Sequence, residues 1–248
     1  MIMDRQINKV VIALVMITTM GCTKQAAMTA HYKADKVTKI TIDEGGTTVT
    51  LNAGSELWYK KPFDNVLKFT GEAFIEVDST RSRFSAPLHM NAGGFAMTCR
   101  HGVVNANLYA FIGGDYQSYS SAFNRGYVSV ISGEVRWGRY RLKDWVFEVD
   151  PFGGAYPHSS LEPGEMTGWK DGGYHFQHIA IQDFLALFRA WYHFDTFLVA
   201  PDGYVSFDNF DWDTSKSLDD FIQTARRLAE VKITYYENGK HVLVEGIY

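Results

Sequence analysis

The chain has 248 residues, 46% hydrophobic and 21% charged, with a formal net charge of −4. That balance excludes a mainly disordered chain and offers no broad cationic footprint for nucleic acid. Two cysteines exclude a disulfide scaffold and a four-thiolate zinc site. Tyr (14) and Phe (17) far outnumber Trp (6), a bias that suits half-buried strands.

Arg5 and Lys9 precede an uncharged run from Val10 to Met20. The run is well short of the ~20 residues a helix needs to cross a bilayer. It fits the ~7–15-residue apolar part of a secretory signal. It ends in Thr19-Met20-Gly21-Cys22, which resembles a bacterial lipoprotein signal, with Thr19 where Leu is usual. The expectation is removal of residues 1–21 and lipidation of Cys22, whose acyl chains then hold the protein on a membrane. Thr23 to Ala27 carries no acidic run, so the expected location is the cell envelope, on the outer membrane facing the periplasm. Cys99 is then the remaining thiol. Its neighbours Thr98, Arg100 and His101 could lower its pKa, but a buried, inert thiol in a strand is the expected state.

Residues 22–45 read as a polar tether that becomes a first strand near Val37–Ile42. Residues 46–168 carry short alternating runs, such as Phe74-Ile75-Glu76-Val77 and Tyr127-Val128-Ser129-Val130-Ile131, punctuated by Gly93-Gly94, Gly113-Gly114 and Gly153-Gly154. Many short strands predict a β-sandwich or a short β-solenoid. The pattern changes over 169–248. Phe184, Leu187, Phe188 and Trp191 recur at helical spacing. Strands are predicted around Tyr174–Phe176, Phe197–Val199 and Tyr204–Phe210. Ser217 is a candidate N-cap for a helix carrying Leu218, Phe221, Ile222 and Ala225. Val231–Tyr235 and His241–Val244 form a hairpin about Asn238-Gly239. The chain is therefore mainly β, with a small α+β domain of duplicated β-α-β order at its end.

Candidate chemistry is sparse. His175 and His178 are three apart in a strand, a spacing that sets the rings on opposite faces. Asp208, Asp211, Asp213 and Ser215 resemble a calcium loop, but the glycine at the sixth position is absent and Ile222 replaces the bidentate Glu at the twelfth. Glu72 and Glu76 share a strand face, as paired glycosidase carboxylates would. The stretch Asp115–Phe123, rich in Tyr and Ser, has the composition of a recognition loop, with packed strand tyrosines as the plainer alternative. No nucleophile elbow, phosphate loop or dinucleotide fingerprint occurs in a strand-to-helix setting. No catalytic, cofactor-binding or metal-binding residue is expected.

Several segments, in order, resemble the periplasmic part of FecR-type proteins, sensors that pair with a sigma factor and an outer-membrane TonB-dependent transporter. They are Val49–Tyr59 (VTLNAGSELWY), Gly71–Val77 (GEAFIEV), Val130–Val135 (VISGEV), Leu161–Glu165 (LEPGE) and Trp169–Gly172 (WKDG) running on to Phe176 and the helix before Arg189–Tyr192. Residues 99–105 depart from the family pattern. The resemblance implies a FecR-like β domain followed by a domain similar to the short N-terminal module of secretins and TonB-dependent receptors. It implies work by protein–protein recognition, with a TonB-dependent transporter or its signalling module as partner and no cofactor. Nine residues precede the apolar run, too few for the family's cytoplasmic segment, so sigma-factor binding is not expected. Strand addition at an edge formed by His241, Val242, Leu243 and Val244 is the expected docking mode. The alternatives are a structural accessory subunit of an outer-membrane complex and a carbohydrate-binding surface lipoprotein.

Overall fold

The computed structural model describes residues 28–82, 84, 86–92, 95–108, 126–149, 154–159, 161–188, 196–200, 203–229, 231–236 and 241–246. Cys22, the Asp115–Phe123 stretch and the Asn238-Gly239 turn lie outside them.

Among the described residues twelve strands build the first domain: β1 (Met28–Lys33), β2 (Thr38–Ile42), β3 (Thr47–Leu51), β4 (Glu56–Lys61), β5 (Val66–Thr70), β6 (Glu72–Val77), β7 (Leu88–Ala92), β8 (Phe95–Asn107), β9 (Gly126–Trp137), β10 (Tyr140–Leu142), β11 (Val146–Val149) and β12 (Ala155–Pro157). Their pairing is antiparallel except between β5 and β7. That rules out a solenoid of parallel coils. The long strands β8 and β9 organise the rest. The first half of β8 pairs with β7 and its second half with β6, while β9 follows both halves. β7, β5, β4 and β1 thus form one layer, and β6, β3 and β2 the other. Between them lies one core that includes Leu51, Ile75, Val104 and Val130 from one layer and Leu57, Leu67, Phe69, Met90 and Trp137 from the other.

The layers diverge at a bulge in β8 between Cys99 and Gly102. Gly102 and Gly133 have φ of +140° and +83°, and a Cβ on either would lie 2.2 or 2.1 Å from the carbonyl oxygen of Ser132 or His101. Only glycine permits that approach with that backbone.

A strand precedes the one expected near Val37–Ile42. β1 already pairs along its whole length with β4. Its residues Thr29–Lys33 are exposed or half-buried, so it lacks the strong apolar alternation of a covered strand.

The second domain reads β13 (Gly173–Ala180), α1 (Ile181–Phe188), β14 (Thr196–Val199), β15 (Ser206–Asp213), α2 (Leu218–Ala229), β16 (Val231–Tyr236) and β17 (His241–Gly246). This is the duplicated β-α-β order. The first strands of the two repeats, β13 and β15, pair with each other. The second strands, β14 and β16, flank β17. The two helices contribute Phe184, Phe188, Phe221 and Ile222 to a core shared with Phe176, Phe210, Trp212, Ile233 and Val244 from the two sheets. Phe184 stacks on Phe221 with ring centres 4.0 Å apart. Burying each such ring contributes about 1.5–3 kcal/mol. Ser217 Oγ accepts the Asp220 N–H (3.2 Å), and Asp220 Oδ2 accepts the Ser217 N–H (2.8 Å). That reciprocal pair starts α2 where the sequence placed its cap.

Candidate functional site: a buried seam and an open strand edge

The resembling segments meet at one place. Alternation along β6 sends Ala73, Ile75 and Val77 into the sandwich core, so Glu72 and Phe74 face the other way. Phe74 joins Tyr127 and Val146 in the second core, against Leu161, Met166 and Trp169. The second domain therefore packs on the back of the β6–β8–β9 layer, and Glu72 is sealed beneath it at 1% exposure.

Glu72 is held by neutral donors. Asn52 Nδ2 donates to Oε2 (2.9 Å) and Asn105 Nδ2 to Oε1 (3.1 Å). The Asn105 amide also donates to the Met166 carbonyl (3.0 Å) and accepts from Trp169 Nε1 (3.2 Å). One asparagine thus ties the carboxylate to the segment that leads into the second domain. Ser129 Oγ donates to the Pro163 carbonyl (2.8 Å), and Lys170 Nζ lies 3.5 Å from the centre of the Phe74 ring. Glu165 accepts the Glu162 N–H (2.8 Å) and, through its other oxygen, the Gln177 N–H of β13 (2.6 Å). The Pro-Gly-Glu turn is thereby bonded to both domains. Burial pushes the Glu72 carboxyl up to about 7 against the lowering effect of its hydrogen bonds.

The sequence reading did not find this network. Its trace is a run of polar residues inside otherwise apolar strands, Asn105 and Asn107 among Val103, Val104, Ala106 and Leu108. Asparagine is disfavoured in strands, so two of them in a buried strand point to partners within the protein.

The other sequence candidates come apart. Glu72 is sealed, whereas Glu76 is half-buried and lies 3.9 Å from Lys39. Four residues of strand set them ~13 Å apart, beyond the ~5–9.5 Å that glycosidase pairs use. Cys99 is buried and its thiol is pushed up to about 11 by burial. His175 and His178 are on one face, contrary to the spacing argument. Gln177 and Asn209 drop out of the β13–β15 register, and Asn209 has φ +50°. The register resumes unshifted at His178–Asp208, but the Gln177 N–H goes to Glu165 and the alternation of buried and exposed residues changes phase there in both strands, so both rings are exposed. Each Nδ1–H donates to a carboxylate, Asp211 at 2.6 Å and Asp208 at 2.7 Å. No third ligand gathers with them among the described residues.

The edge assigned to His241–Val244 is corrected. β17 is the middle strand, with Val242 opposite Phe197 of β14 and Tyr235 of β16. Its apolar alternation gave no sign of how many neighbours it has, because pairing is set by strands distant in sequence. The outer strands are β14 and β16. On β16, Arg226 of α2 donates to the Ile233 carbonyl (2.8 Å). Among the described residues β14 is paired on one side, with β17. It carries Leu198 at 62% exposure.

No protein-family profile matches the chain, and no curated protein matches it by sequence. Solved structures do share the fold. A crystal structure at 2.50 Å of a "putative anti-sigma factor" from Parabacteroides distasonis ATCC 8503 superposes with a TM-score of 0.60 at 18% identity, covering 89% of this chain and 100% of its own. A 1.65 Å structure of the same description from that organism gives 0.58 at 18% identity, covering 88% and 99%. The likeness spans both domains. Among the described residues no helix is long and apolar enough to cross a membrane.

Proposed function

We propose that this protein is a FecR-like regulator that works by protein–protein recognition and not by catalysis. Cys22 carries lipid and holds it to the cell envelope, with the folded domains in the periplasm. The partner is an outer-membrane TonB-dependent transporter or its signalling module. The observation that carries this reading is the fold itself, a β-sandwich latched to a duplicated β-α-β domain over the full length of solved structures described as anti-sigma factors. The docking strand is reassigned to β14, which among the described residues has one backbone edge to offer and exposes Leu198 beside it.

The test is a photo-crosslinking residue placed at Leu198 in the full chain, expressed in the native host. Crosslinking to an outer-membrane transporter, lost when Phe197 is replaced by proline, supports the reading: the Ala200 N–H donates to Val244 of β17, so alternation puts the Phe197 N–H on the side away from β17. Absence of an envelope partner, or one indifferent to β14, refutes it. Cys22→Ala is expected to abolish labelling by a fatty-acid probe. A labelled Cys22→Ala chain would overturn the anchor.

A further inference from the structure

We propose that the outer face of β7–β10 is a binding site for a small ligand bearing two or more oxyanion groups, phosphate or carboxylate.

The argument starts from register. His89, Thr98, Arg136 and Arg141 stand opposite one another across β7, β8, β9 and β10. The alternate residues Met90, Met97, Val135, Trp137 and Leu142 face the core, so this row faces out. The bulge adds to it. The β8–β9 register runs from Cys99 opposite Val135 to Gly102 opposite Gly133, which leaves Arg100 and His101 together across from Glu134. Both are exposed, as a bulge that sets two residues against one allows. This bulge falls in residues 99–105, where the chain departs from the FecR-type pattern.

The result is a cleft of about 700 Å³ lined by His89, Arg100, His101, Glu134, Arg136 and Lys143, among others. That volume is in the range of small-molecule sites. Neighbouring strands are ~4.8 Å apart, so the cations of β8, β9 and the β10 end are spaced for separate anionic groups of one compact ligand. Glu134 is shared loosely by Arg136 (3.7 Å) and Arg141 (3.8 Å). These contacts are longer than good hydrogen bonds, so both guanidinium groups keep donors to give. Arg100 has no ion pair among the described residues. The cleft is therefore cationic in a chain whose formal charge is −4. Guanidinium forks match the paired oxygens of phosphate and carboxylate.

The experiment is calorimetric titration of the full-length chain in detergent with inorganic pyrophosphate and with tricarballylate. A parallel arm uses phosphatidylglycerol and phosphatidylcholine vesicles, to separate a free ligand from a lipid headgroup. Arg100→Gln and Arg136→Gln are the test variants and Lys232→Gln, in the other domain, the control. Urea midpoints matching the wild type show that the variants fold. Saturable binding of a soluble probe, weakened about tenfold by each arginine replacement and untouched by Lys232→Gln, is expected. Arginine-dependent preference for phosphatidylglycerol with no soluble binding assigns the face to a single lipid phosphate and overturns a ligand with two or more oxyanion groups. No saturable binding of any probe, or binding indifferent to Arg100 and Arg136, overturns the proposal.

Discussion

Replacing Glu72 by glutamine tests the seam most directly. The carboxyl is pushed from 4.5 to about 7 because it is sealed from water among neutral donors. The unfolded chain releases this proton near pH 4.5, while the folded chain holds it until about 7. Within that window the folded state binds more protons, so rising pH favours unfolding. The Glu72 contribution to stability is thus greatest below pH 4.5, declines through the window and is flat above it. The displacement corresponds to about 3 kcal/mol. Glutamine keeps the shape and one acceptor oxygen but does not titrate. The stability gap between Glu72→Gln and the wild type is therefore expected to move by about 3 kcal/mol in favour of the variant between pH 4 and pH 8. Urea unfolding followed by tryptophan fluorescence measures it. Comparison with the wild type cancels groups that both proteins share, His158 and Asp183 at 3.4 Å across the seam included. Parallel stability curves over that pH range would refute the buried-carboxylate reasoning.

Three further outcomes are expected. The Cys99 thiol, pushed up to about 11 by burial, should resist iodoacetamide at pH 7.5 until urea unfolds the chain, as mass spectrometry would show. Gly133→Ala sets a Cβ 2.1 Å from the His101 carbonyl oxygen at φ +83°; it should cost more than the ~1–3 kcal/mol of backbone strain alone or prevent folding, whereas Gly138→Ala, with open space around it, should cost less in the same urea assay. Ser217→Ala removes the hydroxyl that accepts the Asp220 N–H and donates to Asp220 Oδ2, while the Ser217 N–H bond to that carboxylate stays; it should lower stability by about 1 kcal/mol, read as a shift in the urea midpoint.

Much of the architecture was legible because it is local. Two-residue alternation announced the β domain, and apolar spacing with a serine ahead of it placed α2 at Leu218–Ala229. The duplicated β-α-β order followed from the same periodicities. The resembling segments form turns and strand starts. Asn52 to Ser55 closes a turn with the Ser55 N–H donating to the Asn52 carbonyl (3.1 Å), and Phe74 and Val77 do face opposite cores. What stayed hidden was why Glu72, Asn105 and Trp169 belong together. They are far apart in sequence, and each alone reads as an ordinary strand or loop residue.

The sequence by itself determined which residues alternate, where helices begin and that the chain is built from strands first and a mixed domain second, since those properties follow from side chains a few positions apart. Only the tertiary structure decided that β17 is central and β14 outer among the described strands, that a local break in pairing at Gln177 and Asn209 leaves His175 and His178 both exposed, and that Glu72 is sealed under the second domain. Each of these depends on which distant strand lies alongside. Pairing partners and burial are properties of the assembled layers, and a single strand's pattern is the same whether it has one neighbour or two.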